Sequence, residues 1–304
     1  MEAIQNYFPS YQYSERKFIG INERPSWPQT FILAAQHMMA MFGGTILVPL
    51  LAGFNTNTSL LFSGVGTIIF FIITGGKVPS YLGSSFSFLG VILSATGYVP
   101  TPGVLNPNIS IALGGIISSG IAYAIVALLV MALGHRWIEF ILPPVVTGSI
   151  IMAIGLVLAL AAVDSATKTG DSPWQATATA IVVGVVSVFA PGLAGRLPIL
   201  IGLTFGFLLS FFVGLTSLDP AKRIDFTLVH QAPWFAAPPL FTPKFDMNAI
   251  SLITPVVIIQ VAENLGHVKA VGVITDTELL PYLWRAYMGD ALATIVSGCF
   301  GGSG

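Results

Sequence analysis

The sequence predicts an all-α polytopic membrane protein, and three observations carry that expectation. Apolar residues fill 54% of the 304 positions while charged residues fill 8%, too few to solvate a water-soluble surface of that size. Mean hydropathy is +0.85. Several apolar runs reach about 20 residues, the length that crosses roughly 30 Å of hydrocarbon as a helix. The formal charge of −1 offers no basic footprint, so no nucleic-acid partner is expected. Cys299 is the sole cysteine and lies in an apolar segment, which rules out an intrachain disulfide and suits a small packing residue.

Residues 1–28 carry Glu15, Arg16, Lys17, Glu23 and Arg24 ahead of any long apolar run, followed by Pro25 and Pro28. That order is unlike a cleavable signal peptide, so the first span is expected to direct insertion. Polar, Gly or Pro breaks then delimit apolar runs at 29–52, 56–75, 80–97, 109–133, 137–163, 174–191 and 197–215. A polar, Pro-rich stretch at 216–247 separates these seven from two more, at 248–268 and 284–300. Pro49, Pro143, Pro144 and Pro255 fall inside runs, where they kink helices and free carbonyls.

Basic residues in short loops set the orientation. Arg16, Lys17 and Arg24 precede the first span, Lys77 follows the second, Arg136 the fourth, Arg196 the sixth, and Lys269 with Arg285 the eighth. All fall on one side, which predicts a cytoplasmic N-terminus. The stretch 216–247, with Lys222, Arg223 and Lys244, is then placed outside.

The third run does not read as an ordinary spanning helix. From Lys77 it continues Val-Pro-Ser-Tyr-Leu-Gly-Ser-Ser-Phe-Ser-Phe-Leu-Gly, which puts Pro79, Gly83, three serines and Gly90 at membrane depth. Irregular backbone survives there only when buried in protein or lining a cavity, as in the broken helices of transporters. Residues 83–87, with Ser84 and Ser85, are therefore a first candidate site; close helix packing through small residues is the alternative.

The eighth run holds the second. Glu263 sits deep in ITPVVIIQVAENLGHV, where an acidic side chain costs about 2.5–3.5 kcal/mol on insertion scales. His267 follows at i+4, on the same helix face roughly 6 Å along the axis. Two carboxylate oxygens suit a planar ligand with ring N–H donors, and a neighbouring imidazole exchanges protons near neutral pH. The pair thus points to proton-linked uptake of a small polar molecule; mutual neutralisation is the structural alternative. Gln36 and His37, in the first span, read as polar support. No HExxH, GxSxG or Cys/His ligand set occurs, so no enzymatic activity, metal or cofactor is expected.

Four stretches carry a family resemblance: AAQHMMAMFGGTILVPLL, KVPSYLGSSFSFLG, VAENLGHVKAVG and MGDALATIVSGCFGGSG. They resemble the nucleobase/ascorbate transporter family, closest to its bacterial uracil:proton symporters. The resemblance implies an inverted-repeat fold of seven plus seven spans, of which this chain holds the first repeat and two spans, with a short strand in the broken third span. It implies a core of spans 29–133 and 248–304, a gate of 134–215, an extracytoplasmic loop at 216–247 and movement of core against gate. By the same resemblance Glu263 bonds the pyrimidine ring, the Phe86 amide donates to it, Gly44 borders the pocket and His267 takes part in proton coupling. The family continues past Ser-Gly into a tenth span with a second substrate-binding glutamate, so transport by these 304 residues alone is not expected. A histidine four residues after the glutamate leans to pyrimidines; a purine, xanthine or broad nucleobase permease is the alternative. An anion carrier or channel of the same architecture fits less well, because an ionised Glu263 repels anions. A homodimer in the bacterial inner (plasma) membrane is implied as well.

Overall fold

A computed structural model of the chain describes residues 7–15, 19–101, 103–164, 166–167, 173–192, 194–216, 224, 226–234 and 236–304. Arg16, Lys17, Lys222 and Arg223, used above for orientation, lie outside the described residues, as do parts of 1–28 and 216–247. The described chain is mostly helical. In order come α1 (Trp27–Ala52), α2 (Thr56–Thr74), α3 (Leu89–Thr96), α4 (Ile109–Leu133), α5 (Arg136–Ile141) and α6 (Pro144–Asp164). They are followed by α7 (Pro173–Phe189), α8 (Pro198–Thr216), α9 (Thr227–Gln231), α10 (Met247–Ile253), α11 (Val257–Thr275) and α12 (Leu283–Phe300). Two-residue strands β1 (Gln12–Tyr13) and β2 (Glu23–Arg24) pair in parallel near the N-terminus.

Helix limits follow local chemistry. Pro28 sits in the first turn of α1, where its missing N–H costs nothing. The Asn55 side chain caps α2 by accepting from the Thr58 amide at 3.1 Å, and Asp246 caps α10 through the Asn248 and Ala249 amides, each at 3.0 Å. Glycine in the left-handed region closes α1 and α2, at Gly53 (φ 72°) and Gly75 (φ 65°).

Among the described residues, five helical runs are long and apolar enough to cross a membrane: α1, α2, α4, α8 and the continuous α10–α11 stretch. The third run is broken as expected, while the expected strand and the limits of the fifth and eighth runs change. The third run is helical only from Phe86, as a 3-10 turn (Phe86–Phe88) leading into α3, because Pro79 and the glycines and serines before it do not sustain a helix. No strand forms in 77–85, which is irregular. The fifth run breaks at Leu142–Pro143 into α5 and α6. The eighth extends to Thr275, so Lys269, read above as a loop residue, lies inside α11.

Packing divides the chain into two units. The first comprises Met1–Ile32, Gly44–Ile154 and Pro238–Gly304; the second comprises Leu33–Gly43 and Gly155–Ala237. In the first, α12 packs chiefly against α4 and α2. Small residues permit the approach: a Cβ on Gly120 would stand 2.7 Å from Ile295 Cγ1, and one on Gly289 would stand 3.1 Å from the Phe70 backbone. Phe70, Tyr123, Leu265, Leu283 and Tyr287 form the centre of this core. In the second unit α7 packs on α8, where Ser210 donates to Gln175 Oε1 at 3.0 Å. Large side chains such as Ile68, Leu133, Leu156 and Phe212 stay exposed, as suits a surface solvated by lipid.

Candidate functional site

The broken third run is held by hydroxyls of its neighbours. Thr67 of α2 back-bonds to the Ser63 carbonyl at 2.8 Å, and its oxygen also accepts from the Leu82 amide at 3.1 Å. The buried Ser84 hydroxyl lies 2.6 Å from that of Ser303 and 3.4 Å from the Thr45 carbonyl. Ser85 has two roles: its amide donates to the Gly304 carbonyl at 3.3 Å and its side chain accepts from the Ser87 amide at 3.3 Å. The chain thereby turns sharply into the Phe86–Phe88 coil, with the Leu82 and Ser87 amides held by side-chain hydroxyls and the Ser85 amide by a carbonyl.

That turn meets Glu263. The Ser87 hydroxyl donates to Glu263 Oε2 at 3.0 Å across a separation of 176 residues. Glu263 Oε1 and the Phe86 amide have no hydrogen-bond partner among the described residues. Gly44 borders the same place: a Cβ there would stand 3.5 Å from the Phe86 ring, an ordinary contact. Five expected residues, Gly44, Ser84, Ser85, Phe86 and Glu263, therefore gather around one turn. His267 keeps its helical spacing on α11 but is exposed and makes no hydrogen bond among the described residues, the carboxylate being turned to Ser87 instead. Gln36 and His37 belong to the second unit.

Beside this turn runs a polar seam that the sequence reading does not contain. Asn264 donates to Tyr123 Oη at 2.8 Å and to Asp290 Oδ2 at 2.7 Å, joining α4, α11 and α12. One turn away, Ser119 donates to Gln260 Oε1 at 3.1 Å and the Tyr123 hydroxyl reaches the Gln260 carbonyl at 3.4 Å. Ser119/Tyr123 and Gln260/Asn264 are both i,i+4 pairs, so the seam is a two-rung ladder between helices. Glu263 is accordingly not alone as an acid within the helices. Asp290 sits in mid-α12, and a charge in an apolar run is the signal that could have found it. Asp290 also lines a small cleft of about 30 Å³ with Ser59, Ser63, Ser84 and Ser303. Glu139, near Arg136 in sequence, pairs instead with Lys269, at 2.7 Å.

A family model described as "Permease family" matches residues 28–304. The chain belongs to this permease family. It is 49% identical over 301 residues to a protein of Escherichia coli (strain K12) that carries the provisional name pyrimidine permease RutG, covering 98% of this chain and 67% of that one. It is 38% identical over 296 residues to the uracil permease of the same strain, covering 94% and 65%. With the uracil permease of Bacillus caldolyticus it shares 36% over 298 residues, covering 93% and 65%. The chain thus spans about two thirds of the length of these relatives. Family membership and apolar helices together make this permease a multi-pass membrane protein, a transporter and not an enzyme.

Proposed function

We propose that the whole protein carries uracil or a related pyrimidine base into the cell with a proton, across the plasma membrane. The observation that carries the reading is the Ser87–Glu263 bond, which sets a carboxylate with an open oxygen next to the uncommitted amide of Phe86. A planar base offering adjacent N–H and C=O groups matches such an acceptor and donor, and a site built to hydrogen-bond rejects solutes that leave its groups unpaired. The names of the relatives, pyrimidine and uracil permeases, support the same substrate class. Ser84, Ser85 and Gly44 shape the turn. Gln36 and His37 give polar support in the second unit. His267, one turn from Glu263, exchanges the coupled proton.

In this reading spans 29–133 and 248–304 form the carrying core and 134–215 the gate, and alternating access comes from movement of one against the other. The N-terminus faces the cytoplasm, and the protein works as a homodimer. The test is labelled uracil uptake by the full-length protein in permease-deficient cells, with and without an uncoupler. Glu263→Gln is expected to lower uptake on the order of 100-fold, through a lost charge-assisted bond, and His267→Leu to remove its uncoupler sensitivity, through a lost proton carrier. Xanthine carried in place of uracil would overturn the pyrimidine assignment.

A further inference from the structure

Where α2 ends and α12 begins, two cations gather with no carboxylate among the described residues to answer them. Lys77 follows the Gly75–Gly76 pair that closes α2, and its ammonium lies 5.0 Å from the centre of the Tyr282 ring. Arg285, in the first turn of α12, has its guanidinium 5.9 Å from the same ring, 5.3 Å from Trp284 and 5.0 Å from Tyr7. Neither forms an ion pair among the described residues, whereas Lys269 is neutralised by Glu139. Arg285 Nη1 is buried and has no acceptor there either.

Aromatic faces attract a cation through their quadrupole, yet they leave the in-plane N–H donors of a guanidinium unanswered. The group that answers them best is a phosphate, which an arginine fork grips with two parallel bonds and a lysine neutralises as a point charge. The surroundings favour one source of phosphate. Tyr7, Tyr282 and Trp284 are ring types enriched at the membrane–water boundary, and the last turns of α2, which lead to Lys77, leave Ile68, Phe71 and Ile72 exposed. Those side chains offer an apolar track for an acyl chain, which a free inorganic anion does not need.

We propose that Lys77 and Arg285, framed by Tyr7, Tyr282 and Trp284, bind the phosphodiester headgroup of an anionic phospholipid. The site belongs to the surface of the first unit and takes no part in the Glu263 turn. Basic pockets between spanning helices hold anionic headgroups in this way, each cation near the surface contributing a modest share.

The test is native mass spectrometry of the full-length protein released from bilayers of phosphatidylcholine doped with phosphatidylglycerol. One phosphatidylglycerol is expected to stay bound to the wild type, and Lys77→Gln with Arg285→Gln should weaken its retention on the order of tenfold. Lys77→Gln alone, in which the guanidinium stays seated, should give a smaller loss. Lys269→Gln, whose cation is already paired, should leave retention unchanged. Equal retention of phosphatidylcholine and phosphatidylglycerol overturns the proposal, as does undiminished retention by a double variant that keeps the wild-type Tm. Displacement of the bound lipid by millimolar inorganic phosphate would also overturn it, assigning the cations to a free anion.

Discussion

Ser87 shows how much rests on one hydroxyl. Its bond to Glu263 fixes the carboxylate against the Phe86 turn, and a hydrogen bond to a charged group is worth about 1.5–3 kcal/mol. Ser87→Ala is therefore expected to raise the KM for the transported base about tenfold with little change in abundance, measured as concentration-dependent uptake. Glu263 stood out in the sequence because a carboxylate amid β-branched and aliphatic residues is costly unless it is paired or functional. Ser87 was only half legible, as one more serine in a serine-rich stretch, since its partner lies 176 residues away. Asn264 and Asp290 follow the same rule: an amide or acid becomes interpretable only once packing has brought its partner into reach. The spacing of His267 one helical turn from Glu263 needed nothing beyond periodicity, but the turn of the carboxylate to Ser87 was not legible.

Elements built from long apolar runs were the easiest to foresee; of their interruptions, Pro79, Gly83 and the serines announced the one in the third run, but the one in the fifth was hidden. The ends of α1, α2 and α4 agree closely with the expected 29–52, 56–75 and 109–133, because glycine and capping residues stand at the breaks. The fifth run misled, since hydropathy averages over the Leu142–Pro143 break that separates α5 from α6. In the eighth, Lys269 suggested an end, yet Glu139 on α5 neutralises it and the helix continues another turn and a half. Helix contacts were invisible except as glycine frequency. At Gly120 the α4–α12 contact leaves no room for a side chain. Gly120→Leu is expected to cost about 1–3 kcal/mol by overpacking, seen as a lower Tm in detergent, whereas Gly90→Ala, with open space at its Cβ position, should be near neutral.

At the scale of the whole molecule, composition alone declared a membrane protein, and the exposed apolar side chains of both units agree with that solvent. The two-unit division is not written in hydropathy at all, since Leu33–Gly43 belongs to one unit and the rest of α1 to the other. Basic residues carry the proposed orientation. With Cys299 replaced by alanine and any cysteines beyond these residues likewise removed, a cysteine introduced at Tyr13 is expected to react with an impermeant maleimide only after the cells are permeabilised. One placed at Ala236 should react in intact cells. Reversed labelling would invert the assigned topology.

The hydroxyl bracing of the third run has a kinetic corollary. A helix shares its protection among many amides, so solvent deuterium enters it only when several bonds open together. Between 77 and 85 that sharing is absent: the Leu82 amide is held by Thr67 alone and the Ser85 amide by Gly304 alone, with the Gly83 and Ser84 amides unbonded between them among the described residues. Each held amide can then exchange independently, on the time of one hydroxyl rotating or one carbonyl moving away. The stretch thus becomes a row of separate clocks set into a membrane protein whose helices keep common time.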